Sequence, residues 1–288
     1  MVTVFTPTYN RAYILPQLYE SLCRQTSKNF EWLVVDDGST DNTEELFKVF
    51  VAEQKIVVRY YKHPNGGKHR AINAGVKLAE GELFFIVDSD DYLTNDAVAW
   101  IESRYADIRG DETFAGLSGF RQTSSGERIG GELSFDYLDC SALDLRMRYH
   151  VAGDMAEIYR RDVLREFPFD EIEDEKFCPE ALVWNRIALR YKVRWINYGI
   201  YVCEYLPDGL TARITRIRMK SPQSAKRYYA ELYRMPIPFM QRVKAAINFW
   251  RFALCANVSF GENLRQVGLS AMLWAPLGIV IHIIDLRR

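Results

Sequence analysis

Residues 83–91 read LFFIVDSDD, an apolar run of strand length that leads directly into a group of carboxylates. Because successive side chains of a strand point to opposite faces, Asp88 and Asp90 are expected on one side and Ser89 on the other. Two carboxylates held this close repel each other unless a cation neutralises them. Oxygen ligands with room for water suit Mn²⁺ or Mg²⁺. We therefore predict a divalent-metal site at Asp88 and Asp90, the alternative being an acidic turn that caps the next helix.

Strands and helices alternate on both sides of this segment. Apolar runs at residues 2–6, 30–35 and 56–61 predict three further strands, and leucines and alanines at helical spacing lie between them. Such alternation is typical of βαβ units and of a mostly parallel, Rossmann-like sheet flanked by helices. The predicted fold class is therefore α/β.

Polar residues follow three of these strands, at residues 7–10, 36–39 and 88–91. Open parallel sheets bind ligands at the carboxyl ends of their strands. A single cluster would be ordinary turn chemistry, since Asp, Gly and Ser favour turns. Three clusters that converge on one edge predict a binding site.

A further segment, GGKHR at residues 66–70, opens a predicted helix with two glycines and basic side chains. Helix N-termini attract phosphate through their N–H groups and dipole. The segment has neither the spacing of a Walker loop nor that of a GxGxxG dinucleotide motif. It therefore predicts a diphosphate contact of another kind, by way of Lys68 and Arg70.

Four segments together resemble the ordered motifs of family 2 glycosyltransferases. They are TPTYNR at 6–11, VVDDGSTDNT at 34–43, GGKHRAINAG at 66–75 and VDSDD at 87–91. The resemblance is close over the first third of the chain and looser up to about residue 213. It implies the GT-A fold and an inverting transfer of a sugar from a nucleotide-sugar donor to an acceptor hydroxyl. UDP is the nucleotide that it favours.

The resemblance also implies roles for individual residues. Asp37 matches the acid that reads the uracil ring in relatives that use UDP-sugars, and Asp88 and Asp90 match the DxD motif that binds metal and diphosphate. The expected donor-binding residues are Pro7, Tyr9, Arg11, Asp37, Gly67, Lys68, Arg70 and Asp88.

The catalytic base of the family lies in an acidic motif, often ED, just before a helix. The matching stretch, FCPEALVW at residues 177–184, has Pro179 where the family has the first acid. The resemblance therefore assigns the base to Glu180, with Asp154 as the reserve candidate. The alternative is that Glu180 is a surface residue that compensates the helix dipole.

Composition restricts the class of protein further. The 288 residues carry a formal net charge of −1, which argues against a general nucleic-acid binder. The five cysteines are scattered and include no CxxC pair, which predicts free thiols in a cytoplasmic protein. The N-terminus predicts a strand and not a signal peptide, which agrees with that location.

Two other functions stay open, a sugar-1-phosphate nucleotidyltransferase and a non-catalytic sugar-nucleotide-binding subunit.

The expected organisation is a GT-A domain at residues 1–213 followed by a helical appendage at 214–288. Within the first domain, residues 1–110 are expected to bind the nucleotide sugar and 111–213 to face the acceptor. The expected acceptor is a carbohydrate or a lipid-linked acceptor, which would fit assembly of a cell-surface polysaccharide or glycolipid.

The appendage holds an apolar stretch at residues 267–284, at the lower limit of length for a membrane span and interrupted by Pro276 and Gly278. We expect it to lie in the plane of the inner membrane face. A homodimer interface, or packing against the catalytic domain, is the alternative.

Overall fold

The structure, a computed structural model, describes residues 1–203 and 214–287. In these residues nine strands form one sheet in the order β3-β2-β1-β4-β8-β6-β9-β5, and β7 pairs with β9. The strands are β1 (Val2–Thr8), β2 (Phe30–Asp36), β3 (Val58–Lys62), β4 (Leu83–Ile86), β5 (Tyr92–Leu93), β6 (Phe114–Gln122), β7 (Tyr137–Cys140), β8 (Met155–Arg160) and β9 (Lys192–Val202).

Helices connect the strands and form the C-terminal part of the chain. The helices that lie between or beside the strands in the sequence are α1 (Leu15–Cys23), α2 (Thr43–Glu53), α3 (Lys68–Leu78), α4 (Ala97–Ala106), α5 (Ala142–Met147), α6 (Arg161–Glu166) and α7 (Glu180–Ala188). The later ones are α8 (Ile214–Lys220), α9 (Pro222–Arg234), α10 (Phe239–Ala253), α11 (Phe260–Val267) and α12 (Ala275–Leu286), with a 3-10 helix at Leu269–Trp274 before α12.

The sheet has a parallel half and a mixed half. Strands β1, β2, β3 and β4 all run in one direction, as βαβ units require. Strand β8 runs antiparallel to both β4 and β6, while β9 is parallel to β6. The predicted α/β class with a central sheet and flanking helices is confirmed. The mixed half begins where the strand–helix alternation of the sequence loosens, after about residue 113.

The described residues divide into two compact units. Residues 1–168 and 187–203 form the first, which holds the sheet, and 169–186 and 214–287 form the second. The segment 169–186 thus clusters with the C-terminal helices, although the sequence analysis counted it with the first domain.

Aromatic side chains fill the core of the first unit on one face of the parallel strands. Trp32 is fully buried and packs against Tyr19, Phe47 and Phe50 from the flanking helices. On the opposite face α3 approaches β1 so closely that a Cβ on Gly75 would lie 2.2 Å from the ring of Phe5. This close approach fixes α3, and hence its N-terminus, against the centre of the sheet.

The second unit has a core of its own, built around Phe249 and Trp250 of α10. Helix α12 lies along α10, since a Cβ on Gly278 would come within 2.6 Å of Cβ of Trp250. Arg251 of α10 binds Asp285, near the end of α12, through two guanidinium nitrogens at 2.5 and 2.9 Å. One face of α12 is thus held by α10.

Candidate active site at the carboxyl ends of the strands

Topology brings distant parts of the chain to one edge of the sheet. The parallel strands β1, β2 and β4 end there, at Thr8, Asp36 and Ile86. Strands β6 and β9 run in the same direction and end beside them, and the antiparallel β8 begins there at Met155. The polar clusters at residues 7–10, 36–39 and 88–91 therefore share one edge, as predicted.

The loops after β1 and β2 are tied to each other. Asn10 stands at the left-handed φ of 53°, and its N–H donates to the Ser39 hydroxyl at 2.8 Å. Its side-chain oxygen accepts from the N–H of Thr40 at 2.8 Å. The motif TPTYN is thus held by the motif DDGST, which gives both loops a fixed conformation.

Asp37 binds the loop that leads into α3. Its carboxylate accepts the N–H groups of Gly66 at 2.7 Å and Gly67 at 2.8 Å, as well as the side-chain amide of Asn65 at 3.0 Å. Gly67 has a φ of 100°, which only glycine adopts readily. The two glycine amides predicted to meet phosphate are therefore bound to Asp37, and the assignment of Gly67 and Asp37 to donor binding stays a prediction.

Acidic and basic side chains face each other where β4 ends. Lys68 Nζ lies 2.6 Å from Asp88 Oδ1, and an Arg121 nitrogen lies 3.9 Å from the other Asp88 oxygen. Arg11 approaches Asp90 at 3.8 Å. Burial favours the neutral acid at Asp88, but the charges of Lys68 and Arg121 outweigh it and lower its pKa. Asp88 is therefore an ionised carboxylate with a basic partner already in place.

Arg121 and Tyr201 are site residues that the sequence analysis missed. Arg121 stacks over the Tyr201 ring at 4.3 Å and donates from Nε to the Met155 carbonyl at 3.1 Å. The Tyr201 hydroxyl accepts the N–H of Asp88 and donates to Asp91 at 2.6 Å. Burial, together with the charge of Asp88, raises the pKa of Asp91 to about 7. The sequence signal for Arg121 was its position as a charged residue directly after the apolar run FAGLSGF at residues 114–120.

The remaining donor-binding candidates differ in exposure. Pro7 is buried within β1, where it pairs with Val35 of β2. Tyr9 is exposed, and Arg70 lies half-buried in the first turn of α3. Arg11 donates to the Tyr13 hydroxyl at 2.6 Å. Their contact with a donor stays a prediction.

The two candidates for the catalytic base lie in different compact units. Asp154 is exposed and immediately precedes β8, at the sheet edge where β4 ends. Glu180 is the half-buried first residue of α7, in the second unit. The assignment of the catalytic base to Glu180, with Asp154 as the reserve candidate, stays a prediction.

A divalent cation fits the donor set at the end of β4. Among the described residues no three acid, histidine or cysteine side chains form a complete metal site. Asp88 and Asp90 are each about a quarter exposed, at 27% and 26%, so their oxygens are open to a ligand. Mg²⁺ is usually held by one or two carboxylates together with substrate phosphates and water, which is the set that these residues could complete.

Residues 3–166, more than half of the chain, match the family described as Glycosyl transferase family 2. The chain belongs to this family. The assignment agrees with the resemblance of the four motifs and supports a glycosyltransferase enzyme over both a nucleotidyltransferase and a non-catalytic subunit.

Relatives are similar over the same part of the chain. Glycosyltransferase GlyG of Streptococcus pneumoniae serotype 4 is 35% identical over 109 residues, which are 38% of this chain and 35% of GlyG. The poly(ribitol-phosphate) beta-N-acetylglucosaminyltransferase TarS of Staphylococcus aureus is 35% identical over 112 residues, which are 37% of this chain and 20% of TarS. The match thus spans about a third or less of these relatives.

Solved structures share the fold over nearly the whole chain. The structure of S. aureus TarS 1-349 in complex with UDP-GlcNAc has a TM-score of 0.63 at 18% identity and covers 95% of this chain and 83% of that one. Mannosyltransferase PcManGT from Pyrobaculum calidifontis, in complex with GDP-Man and Mn²⁺, has a TM-score of 0.58 at 18% identity, with 99% and 87% covered. Identities this low support the fold alone.

A half-buried acid beside the site, Glu157, predicts a pH-dependent stability. Burial raises the pKa of Glu157 from its ordinary 4.5 to about 7, against the opposing charges of Arg121 and Arg146 and with support from that of Asp154. The folded protein therefore binds more protons than the unfolded chain between about pH 4.5 and 7, and stability falls as pH rises through this window.

Glu157→Gln should remove this loss, because Gln resembles the protonated acid. We expect its Tm to be close to that of the wild type at pH 4.5 and to exceed it by about 5–10 °C at pH 7.5. Moving a pKa from 4.5 to about 7 is worth about 3 kcal/mol, and each 1 kcal/mol shifts Tm by about 2–4 °C. The exposed Glu112→Gln is the control and should change Tm little at either pH. A constant Tm difference across the range would contradict the assignment.

Proposed function

We propose that this enzyme transfers a sugar from a UDP-sugar to an acceptor hydroxyl with inversion, using Mn²⁺ or Mg²⁺, in the assembly of a cell-surface polysaccharide or glycolipid. The observation that carries the proposal is the meeting of Asp88 and Asp90 with Lys68, Arg11 and Arg121 at one sheet edge. Paired carboxylates with cations around them suit a diphosphate and its metal. TarS, which is 35% identical to this chain over 112 residues, by its printed name acts on poly(ribitol-phosphate), and its solved structure holds UDP-GlcNAc, which supports UDP.

The chain's own residues would act on charge and on protons. A carboxylate takes the proton of the acceptor hydroxyl, whose oxygen then forms a bond to the anomeric carbon as the bond to the diphosphate breaks. Lys68 and Arg121 lie where they would offset the charge that develops on the leaving nucleoside diphosphate. A divalent ion bound at Asp88 and Asp90 would supply further Lewis-acid stabilisation of that leaving group.

Nucleotide choice gives the first test. Thermal shift and calorimetry with Mn²⁺ should give a Kd for UDP at least about tenfold below those for GDP and CMP, a difference of about 1.4 kcal/mol. Asp90→Ala should keep the Tm of the unliganded protein and lose the Mn²⁺-dependent stabilisation by UDP, because one of the two open carboxylates is gone.

The control is Asp139→Ala, which removes a carboxylate that binds Arg194 on a different part of the sheet. It should leave UDP binding unchanged. Equal affinity for the three nucleotides would refute the uridine assignment, and full metal-dependent binding by Asp90→Ala would refute the metal assignment.

For the catalytic base we propose Glu180, on the order of the family motifs and its place at the start of α7. Glu180→Gln should keep UDP affinity and lower turnover by about 10²–10⁴-fold, since Gln has nearly the same shape but accepts no proton at neutral pH. Asp154→Asn is the matched comparison, measured with the same donor and acceptor. If Asp154→Asn shows the large loss and Glu180→Gln stays within a few-fold of wild type, the base is Asp154.

We further propose that the C-terminal helices lie on the inner membrane surface. One stretch, Leu269–Leu286, is long and apolar enough to span a bilayer, and only 17% of it is buried. Its large exposed side chains are Leu269, Met272, Leu273, Leu277, Ile279, Val280, Ile283, Ile284 and Leu286. Leaving so many of them in water is unfavourable, because burial of each is worth about 1.5–3 kcal/mol.

An in-plane position fits the contacts of α12 better than a span. Only Ala275–Leu286 of this stretch is α-helical, and Leu269–Trp274 is a 3-10 helix. A span would also carry the Arg251–Asp285 ion pair, which ties α12 to α10, into lipid. The exposed Arg265 and Arg287 suit anionic headgroups.

Flotation with anionic liposomes tests this surface. The wild type should float, and the double variant Leu269→Glu with Leu273→Glu should lose at least about tenfold in binding, because two apolar side chains no longer enter the headgroup region. Val57→Glu, at an exposed valine of the first unit, is the control and should float like the wild type. A wild type that stays unbound and dimeric, with a monomeric double variant, would identify a subunit interface instead.

A further inference from the structure

The acidic group at the end of β4 is neutralised by the protein itself. Asp88 has Lys68 at 2.6 Å and Arg121 at 3.9 Å, Asp90 has Arg11 at 3.8 Å, and Arg121 also lies 3.9 Å from Asp91. Each carboxylate thus has a basic side chain within 4 Å. Among the described residues, three acidic side chains thus face three basic ones without any ligand.

Charge balance disfavours either ligand of this site on its own. A divalent cation alone would add two positive charges beside Lys68, and like charges at such short range repel strongly when partly buried. A nucleoside diphosphate alone would bring its negative charges against Asp88. When the cation and the nucleoside diphosphate bind together, their opposite charges largely cancel. Binding of both ligands therefore changes the net charge of the cluster less than binding of either one alone.

The two basic partners of Asp88 differ in the chemistry of their side chains. The Arg121 guanidinium is fixed by the Met155 carbonyl at 3.1 Å and by stacking on Tyr201 at 4.3 Å. Lys68 lies at the N-terminus of α3, its side chain is 33% exposed, and it carries a point charge on a flexible four-carbon stem. Lys68 is therefore the partner whose side-chain length and flexibility suit a shift from Asp88 to a diphosphate.

Asp88 itself is anchored in place. Its N–H donates to the Tyr201 hydroxyl at 3.0 Å, and the same hydroxyl donates to Asp91 at 2.6 Å. A rearrangement at this carboxylate therefore involves the lysine and not the aspartate backbone.

We propose that Lys68 is the counter-ion that occupies Asp88 in the free enzyme and that moves from Asp88 to the donor diphosphate when donor and metal bind. Its departure opens the Asp88 oxygen at 2.6 Å to the cation. Metal alone competes with Lys68 for Asp88, whereas a diphosphate draws Lys68 away. This exchange rests on the proposed function, because it takes a nucleoside diphosphate as the ligand.

Binding measurements on Lys68→Met test the exchange without an activity assay. Free Mn²⁺ is measured by electron paramagnetic resonance in the absence of nucleotide, and UDP affinity by calorimetry in the absence of metal. Relative to the wild type, we expect Lys68→Met to bind Mn²⁺ at least about tenfold more tightly, because Asp88 has lost its competitor. We expect the same variant to bind UDP at least about tenfold more weakly, because the diphosphate has lost a cation.

Opposite changes in the two affinities separate this role from a structural one, which would weaken both. Lys55→Met is the matched control, since it breaks a Lys–Glu ion pair of 2.8 Å with Glu53. It should alter neither affinity, and Tm values should show that both variants are folded.

A Lys68→Met protein that binds Mn²⁺ alone no more tightly than the wild type overturns the exchange, whatever the nucleotide result. A wild type that fails to bind UDP with or without metal refutes the proposed donor instead. The Mn²⁺ measurement still decides the role of Lys68 in that case, so the two failures are distinct.

Discussion

The carboxylate of Asp37 holds the N-terminus of α3 against the end of β2, and the geometry of the site depends on this contact. Two consecutive backbone amides, of Gly66 and Gly67, donate to it. A negative charge at this point also suits the positive end of the helix dipole. Lys68 is the next residue along the chain, so its reach to Asp88 is set by where Asp37 places the first turn. Removing this carboxylate would disturb both the loop and the position of Lys68 at the proposed diphosphate site.

Much of the parallel half of the fold could be predicted, because its signals are local. The apolar run before Asp88, the helical spacing within α3 and the turn residues after β2 each lie within a few positions of each other. Parallel βαβ units then leave little choice about which strand ends share an edge.

The mixed half was harder to predict for a physical reason. Tyr201 contacts Asp88 across more than 100 residues, and that contact exists only because β9 is parallel to β6 while β8 runs the other way between β6 and β4. The spacing of apolar residues within a single segment gives no sign of which distant strand that segment pairs with. The contact of Arg121 with Asp88 was also hard to predict, because in the sequence Arg121 is only one charged residue after an apolar run. Asp37 was assigned by its motif, yet its amide partners follow from the close packing of two loops.

Strand β3 is the outer strand of the parallel half, and within residues 1–203 and 214–287 no strand pairs with its other side. Such edges are templates on which another chain can add a strand, and proteins often protect them with charge. Here Arg59 and Lys62 lie within the five residues of β3, and they pair with Glu31 and Glu44 of the neighbouring elements. An incoming strand would have to approach these charges, which makes edge-to-edge aggregation at this side of the sheet unfavourable.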